Sequence, residues 1–202
     1  MSSTSSLYPS IIAVSGKIGT GKDHLVVNVI CPYLKSIGKT WQIISFADHL
    51  KMLTHSRDKI AYHRLFVKKD TESRRALQDR GTLERAENPN VFIDVLKCSM
   101  RLARDRGVDV VIVPDLRYQN EFDVLYSCGA ISFRIDAPNR NKDKLLSEAN
   151  GDEGSASIIA SHRSEIDLDG CKDFNYKLNN DYANESDITR QLTEILDSLY
   201  PR

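Results

Sequence analysis

The run Gly16-Lys17-Ile18-Gly19-Thr20-Gly21-Lys22-Asp23 carries the strongest chemical signal in the sequence. It matches G-x-x-x-x-G-K-[ST] except at its last position, follows the apolar stretch Ile11–Val14 and opens a helical pattern, which is the context that the motif requires. Glycines let backbone N–H groups approach and surround phosphate oxygens, and the lysine after them places a point charge between two phosphates. The segment predicts a cradle for ATP, with Gly16, Lys17, Gly19, Thr20 and Gly21 around the phosphates and Lys22 as the catalytic charge. Asp23 stands where a Ser or Thr hydroxyl normally touches Mg²⁺. A carboxylate can serve Mg²⁺ directly or through water, or it can simply favour a helix start, and both readings stay open.

Val111-Ile112-Val113-Pro114-Asp115 is an apolar strand ending in a carboxylate, with Arg117 and Glu121 close behind. Ligands of open parallel sheets sit beyond the carboxyl ends of the strands, so Asp115 is expected beside the phosphate loop, ordering Mg²⁺ or an acceptor. Taken alone it would read as a helix-start Asp with a surface ion pair. Arg74 and Arg75, with Gly81 and Thr82 after them, form a second cluster. An arginine pair can hold an anion through bidentate hydrogen bonds, although most charge runs are solvated helix faces. Arg140, Lys142 and Lys144 lie in a polar stretch, 137–170, that is long for a connector and is therefore either disordered or a lid bringing a cation to the transferring phosphoryl group. His162-Arg163-Ser164-Glu165 ends it, with no role assigned by spacing.

The elements that must position these residues read as alternating strands and helices. Strands are expected at Ile11–Val14, Trp41–Phe46, Val108–Val113, Ile131–Ile135 and Phe174–Leu178. Helical spacing runs from Leu25 to Ile37, where Pro32 should bend or split the helix and Gly38 could end it. Further helices are expected near Ala47–Thr54, from Asp70 or Thr71 past Leu83, from an Asn90 cap to Gly107, over 119–128 to Gly129, and from a Ser186 cap to Leu199. This pattern predicts an α/β fold of the P-loop NTPase type: three layers, a doubly wound parallel sheet of about five strands, and a mobile lid over about 138–165. Residues 1–8 read as a flexible tail and 9–202 as one domain.

Lys plus Arg and Asp plus Glu each total 28 in 202 residues, so the net charge is zero. No global field draws such a chain to nucleic acid or an anionic membrane, so its expected partner is a small-molecule nucleotide substrate. No apolar run reaches transmembrane length, the start MSSTSSLYPS lacks the regions of a signal peptide, and Cys31, Cys98, Cys128 and Cys171 show no metal or disulfide spacing. These features predict free thiols and a cytoplasmic location. Oligomeric state is not fixed by the sequence, and a homodimer stays open.

Several motifs taken in order resemble the deoxynucleoside monophosphate kinases of phages and large DNA viruses. The run Gly16–Asp23, with Asp after Lys, is similar to that family's phosphate loop. Arg74-Arg75-Ala76-Leu77-Gln78-Asp79-Arg80-Gly81-Thr82 resembles its R-x-L-Q-x-x-G-T element, and Asp115-Leu116-Arg117-Tyr118-Gln119-Asn120-Glu121 its D-x-R-x-x-N-E element. Ser161–Glu165 is similar to its H-P-S-E segment with Arg163 in place of Pro, and Asn179-Asn180-Asp181 to its N-N/D-G turn with Tyr182 in place of Gly. The resemblance runs from about residue 10 to 199. It implies ATP and Mg²⁺ as cofactors, Lys51, Arg74 and Arg75 on the acceptor phosphate, and Gly81, Thr82, Asp115, Arg117 and Glu121 around the nucleoside. It also implies Asn180 near the adenine of ATP. Animal-type phosphomevalonate kinase, which shares G-K-D and a D-x-R element, is the nearest alternative. A nucleotide-binding module without catalysis is the second.

Overall fold

The computed structural model describes residues 7–67, 71–182 and 185–201. Five parallel strands form one sheet in the order β2-β3-β1-β4-β5. They are β1 (Ser10–Gly16), β2 (Trp41–Ile43), β3 (Val110–Leu116), β4 (Ile131–Asp136) and β5 (Tyr176–Asn179). β1 is central and pairs with β3 through Ile11↔Val111 and Ala13↔Val113, and with β4 through Val14↔Phe133 and Gly16↔Ile135. Its side chains alternate between two cores. Ile11 and Ala13 meet Phe46, Phe92, Leu96, Met100 and Phe122 on one face, while Ile12 and Val14 meet Leu25, Ile30, Leu34, Ile188 and Leu192 on the other. Two covered faces explain why β1 and β3 are apolar runs rather than alternating ones.

The helices are α1 (Lys22–Leu25), α2 (Cys31–Ser36), α3 (Phe46–Asp58), α4 (Tyr62–Phe66), α5 (Thr71–Glu87), α6 (Val91–Asp105) and α7 (Gln119–Ser127), then α8 (Pro138–Glu148), α9 (Glu153–Ser161), α10 (Arg163–Ile166) and α11 (Glu185–Leu199). Pro32 neither bends nor splits the first helical rod. The stretch Val26–Ile30 between α1 and α2 takes π geometry, the Cys31 N–H bonding back to the Val26 carbonyl, and this wider turn absorbs the missing proline N–H.

Other boundaries move for local reasons. β2 stops at Ile43 because Ser45, Phe46 and Ala47 turn to bond the Asp115 carboxylate and start α3. β3 starts at Val110, since Asp109 is locked to Thr40 by its backbone N–H and hydroxyl. β5 starts at Tyr176, after Asn175 has captured the N–H and hydroxyl of Ser132 and Phe174 has turned into the core. Asn90 precedes α6 but does not cap it with its side chain, whose oxygen accepts from Asn120 instead. Ser186 lies one residue inside α11 rather than at its cap. The tail boundary also shifts: Tyr8 is buried in the core, with the Arg101 guanidinium over its ring. Residues 1–6, Lys68-Lys69 and Asp70 lie outside the described residues.

The polar stretch 137–170 is folded. α8, α9 and α10 carry it across the carboxyl end of the sheet. Among the described residues, no helix is long and apolar enough to cross a membrane.

Candidate active site

The phosphate loop leaves β1 and enters α1 through two glycines in the left-handed region, Gly19 (φ 77°) and Gly21 (φ 78°). Both are also required by close approach. A Cβ on Gly19 would meet that of Lys144 in α8 at 2.5 Å, and a Cβ on Gly21 would collide with the Asn180 amide. Asn180 is buried beyond β5, and its amide nitrogen donates to the Thr20 carbonyl at 2.9 Å. The Asn141 amide nitrogen donates to the Ile18 carbonyl at 2.7 Å. The loop is thus gripped from outside, by β5 and α8, which leaves its inner side for a ligand. The Ile18 N–H already donates to a carboxylate, Glu165 Oε2, at 2.8 Å, so the loop is built to bind anionic oxygen.

A cavity of about 340 Å³ opens beside this loop. Lys22 and Asp23 stand at one end, with Asp115 and Arg117 from the β3 terminus and His162, Ser164 and Glu165 from α10 and the residues before it. At the acceptor end Lys51 and Leu50 come from α3, Leu77, Gln78, Gly81 and Arg85 from α5, and Tyr118 and Glu121 from the start of α7. Lys22 is 7% exposed. Burial, then the Arg117 charge, pushes its pKa below the lysine range, opposed by the carboxylates of Asp23, Glu165 and Asp115. Glu121 is 2% exposed. Burial raises its carboxyl from 4.5 to about 7, opposed by Arg85 and by the backbone N–H groups of Arg117 and Tyr118, while Asp115 adds to the rise.

Seven residues chosen from the sequence meet in this cavity: Lys22, Asp23, Lys51, Gly81, Asp115, Arg117 and Glu121. Others do not line it. Arg74 is drawn away to Glu148 at the end of α8 (2.9 Å), and Arg75 is 85% exposed beside Asp79, because the helical turn at α5 points both arginines off the cavity side. The Thr82 hydroxyl bonds the Gln78 carbonyl within α5. The Arg140 guanidinium lies over the Tyr182 ring, 4.8 Å from its centroid, on the far side of the loop. Lys17 pairs with Asp169 at 2.7 Å rather than turning inward. Asp115 is a connector as well as a lining residue. Its carboxylate accepts from Ser45 Oγ at 2.5 Å and from the Phe46 and Ala47 N–H groups, and so pins α3 to the end of β3. The structure adds Ser45, Gln78, Arg85, Tyr118, His162, Ser164 and Glu165. The last three lie within the H-x-S-E resemblance, while Arg85 is separated from its partners by 36 residues and has no spacing signal.

No family model matches the chain, and no curated protein matches it. Among solved structures, TT1252 from Thermus thermophilus aligns with a TM-score of 0.53 at 18% identity, over 95% of this chain and 98% of that one. A candidate kinase from Chloroflexus aurantiacus aligns with a TM-score of 0.51 at 14% identity, over 95% of both chains. The fold is that of the P-loop kinases. At these identities the likeness concerns the fold, and the chemistry rests on the residues in the cavity.

Proposed function

We propose that the chain transfers the γ-phosphoryl group of ATP to a (deoxy)nucleoside monophosphate. The observation that carries this reading is the continuity of the cavity, which runs from the phosphate-loop residues Lys22 and Asp23 to cations and aromatic groups 30 to 100 positions along the chain, at Lys51, Arg117 and Tyr118. Two anionic substrates meeting in one space need fixed positive charge, and Lys22, Lys51 and Arg117 supply it. One acceptor phosphate oxygen bonds the γ-phosphorus as the bond to the bridging oxygen of ADP breaks, giving ADP and a nucleoside diphosphate. Lys22 neutralises charge that develops on the transferring group, and Arg117, aligned by Glu165, is better placed than Arg140 to do the same. Lys51 replaces Arg74 and Arg75 as first holder of the acceptor phosphate. Its partner Asp48 is 47% exposed and can turn into solvent.

Mg²⁺ fits this donor set. Among the described residues no group of three His, Cys, Asp or Glu is placed to hold a metal. Mg²⁺ needs only one or two carboxylates with substrate phosphates and water. Asp23 would hold it, with Asp115 joining through water, and it would supply charge neutralisation to the phosphates. Turnover that persists in saturating EDTA would remove it from the reading.

The test is ADP release with ATP, Mg²⁺ and a panel of nucleoside monophosphates plus 5-phosphomevalonate. Repeated turnover of a nucleoside monophosphate is expected. Turnover of phosphomevalonate alone would overturn the nucleotide assignment and keep the kinase. No turnover of any acceptor would leave a nucleotide-binding module.

A further inference from the structure

Arg85 lines the acceptor end of the cavity and is held there from several sides. Its guanidinium carbon lies over two rings, 4.5 Å from the centroid of Phe92 and 4.0 Å from that of Tyr118. One terminal nitrogen donates to Glu121 Oε1 at 3.2 Å and the other approaches the Gly81 carbonyl at 3.4 Å. Glu121 in turn is fixed: its Oε2 accepts from the backbone N–H groups of Arg117 and Tyr118, each at 3.1 Å. A guanidinium placed this way is preorganised, because ring contacts and a buried partner stop it from following a substrate around.

The pairing decides what kind of ligand group Arg85 can serve. Lys51 can shed its exposed partner and offer net charge to a phosphate. Arg85 cannot, since Glu121 is buried and anchored by the backbone. What Arg85 offers is therefore directional hydrogen bonds. Two of the five N–H donors of an arginine are engaged here, and the acceptor sites of Glu121 already take three N–H groups, so the pair presents donors to the cavity and no open acceptor. Donors in a rigid fork match an oxo oxygen. They meet an exocyclic amino group, itself a donor, without a partner. The Gln78 amide, nearby in the same wall, can face either edge and does not discriminate.

We propose that Arg85 is the specificity-determining residue of the acceptor site: it hydrogen-bonds the oxo edge of guanine, thymine or uracil and leaves the amino edge of adenine or cytosine unmatched. This rests on the nucleotide reading above and deepens it by naming the base class. A site that hydrogen-bonds a substrate group rejects analogues lacking it more strongly than an apolar pocket rejects a shape.

The experiment is a steady-state comparison of dGMP, dTMP, dAMP and dCMP at pH 8, where Glu121 is ionised, for the wild type, Arg85→Lys and the double variant Arg85→Gln/Glu121→Gln. Lysine keeps the charge against Glu121 but loses the fork. The double variant leaves no buried charge unpaired, and so guards against misfolding. Melting temperature and ATP KM are read for each protein. The expected result is a wild-type kcat/KM at least about tenfold higher for dGMP and dTMP than for dAMP and dCMP. Arg85→Lys should lower the values for the two oxo bases by about 10- to 100-fold, mainly through KM, with dAMP, dCMP and ATP KM nearly unchanged. The double variant should narrow the same preference. Equal use of all four bases by the wild type, or an equal fall for all four in Arg85→Lys, overturns the assignment of Arg85 and leaves the kinase reading standing. If no nucleoside monophosphate is a substrate, the nucleotide reading falls and this inference falls with it.

Discussion

Lys22 sits among one cation, Arg117, and three carboxylates, Asp23, Glu165 and Asp115. No other cation lines the loop end so closely in the chain, because Lys17 is turned outward to Asp169. Lys22→Ala should therefore lower phosphoryl transfer by at least about a hundredfold while the protein melts at nearly the same temperature. Near-normal turnover in a folded sample would break the phosphate-loop assignment. Glu121 supports a second expectation. Its carboxyl is raised from 4.5 to about 7 in the folded chain. A raised acid binds its proton more tightly when folded, so its contribution to stability is present below pH 4.5, declines as pH climbs to about 7 and then stays lost. Chemical denaturation at several pH values should show the wild type losing on the order of 1–3 kcal/mol relative to Glu121→Gln across that window. A constant difference between the two proteins would mean that Glu121 does not titrate there.

α8, α9 and α10 form the element that closes the site, and their contacts with the rest of the chain are polar rather than apolar. Arg117 of the β3–α7 turn pairs with Glu165, Gln119 N–H with Asp167, and Lys17 and Arg134 with Asp169. Carboxylates at alternate positions thus dock one strap onto three different elements. Such contacts are individually weak where solvent reaches them, which suits a part that opens and closes. Hydrogen exchange over 138–165 should be fast in the free protein and slow with ATP and acceptor bound together, since excluding water is what a lid contributes to phosphoryl transfer. Equal protection in both states would make the strap a fixed wall.

The whole molecule is organised around β1, which carries the phosphate loop at its end and is covered on both faces. Ile12 is fully buried between β3 and β4 neighbours, whereas Ile43, in the edge strand β2, is 42% exposed. Ile12→Ala should cost about 2–5 kcal/mol in a urea melt. Ile43→Ala should cost well under half of that, because less surface leaves water when it folds. Similar losses at the two positions would contradict the strand order. The doubly covered sheet also explains why the site lies at one rim: only the loops beyond the carboxyl ends of the strands are free to carry Lys22, Asp115 and Asn180.

The sequence by itself determined the α/β class, the five strands, the adjacency of β1 and β3 and the phosphate loop, since these follow from short-range signals: apolar runs buried on two faces, and glycines before a lysine. It also placed Asp115, Arg117 and Glu121 at the correct end of β3. The tertiary structure decided which charges face the cavity. Arg74 and Arg75 look like an anion site in one dimension, yet the turn of α5 and the pull of Glu148 take them elsewhere. Arg85 carries no motif of the sequence reading and becomes a wall of the site only when Phe92, Tyr118 and Glu121 fold around it. The physical reason is range. Strand and loop signals act over a few residues, whereas the partner of a charge is chosen by burial and by helix orientation, which no local spacing records.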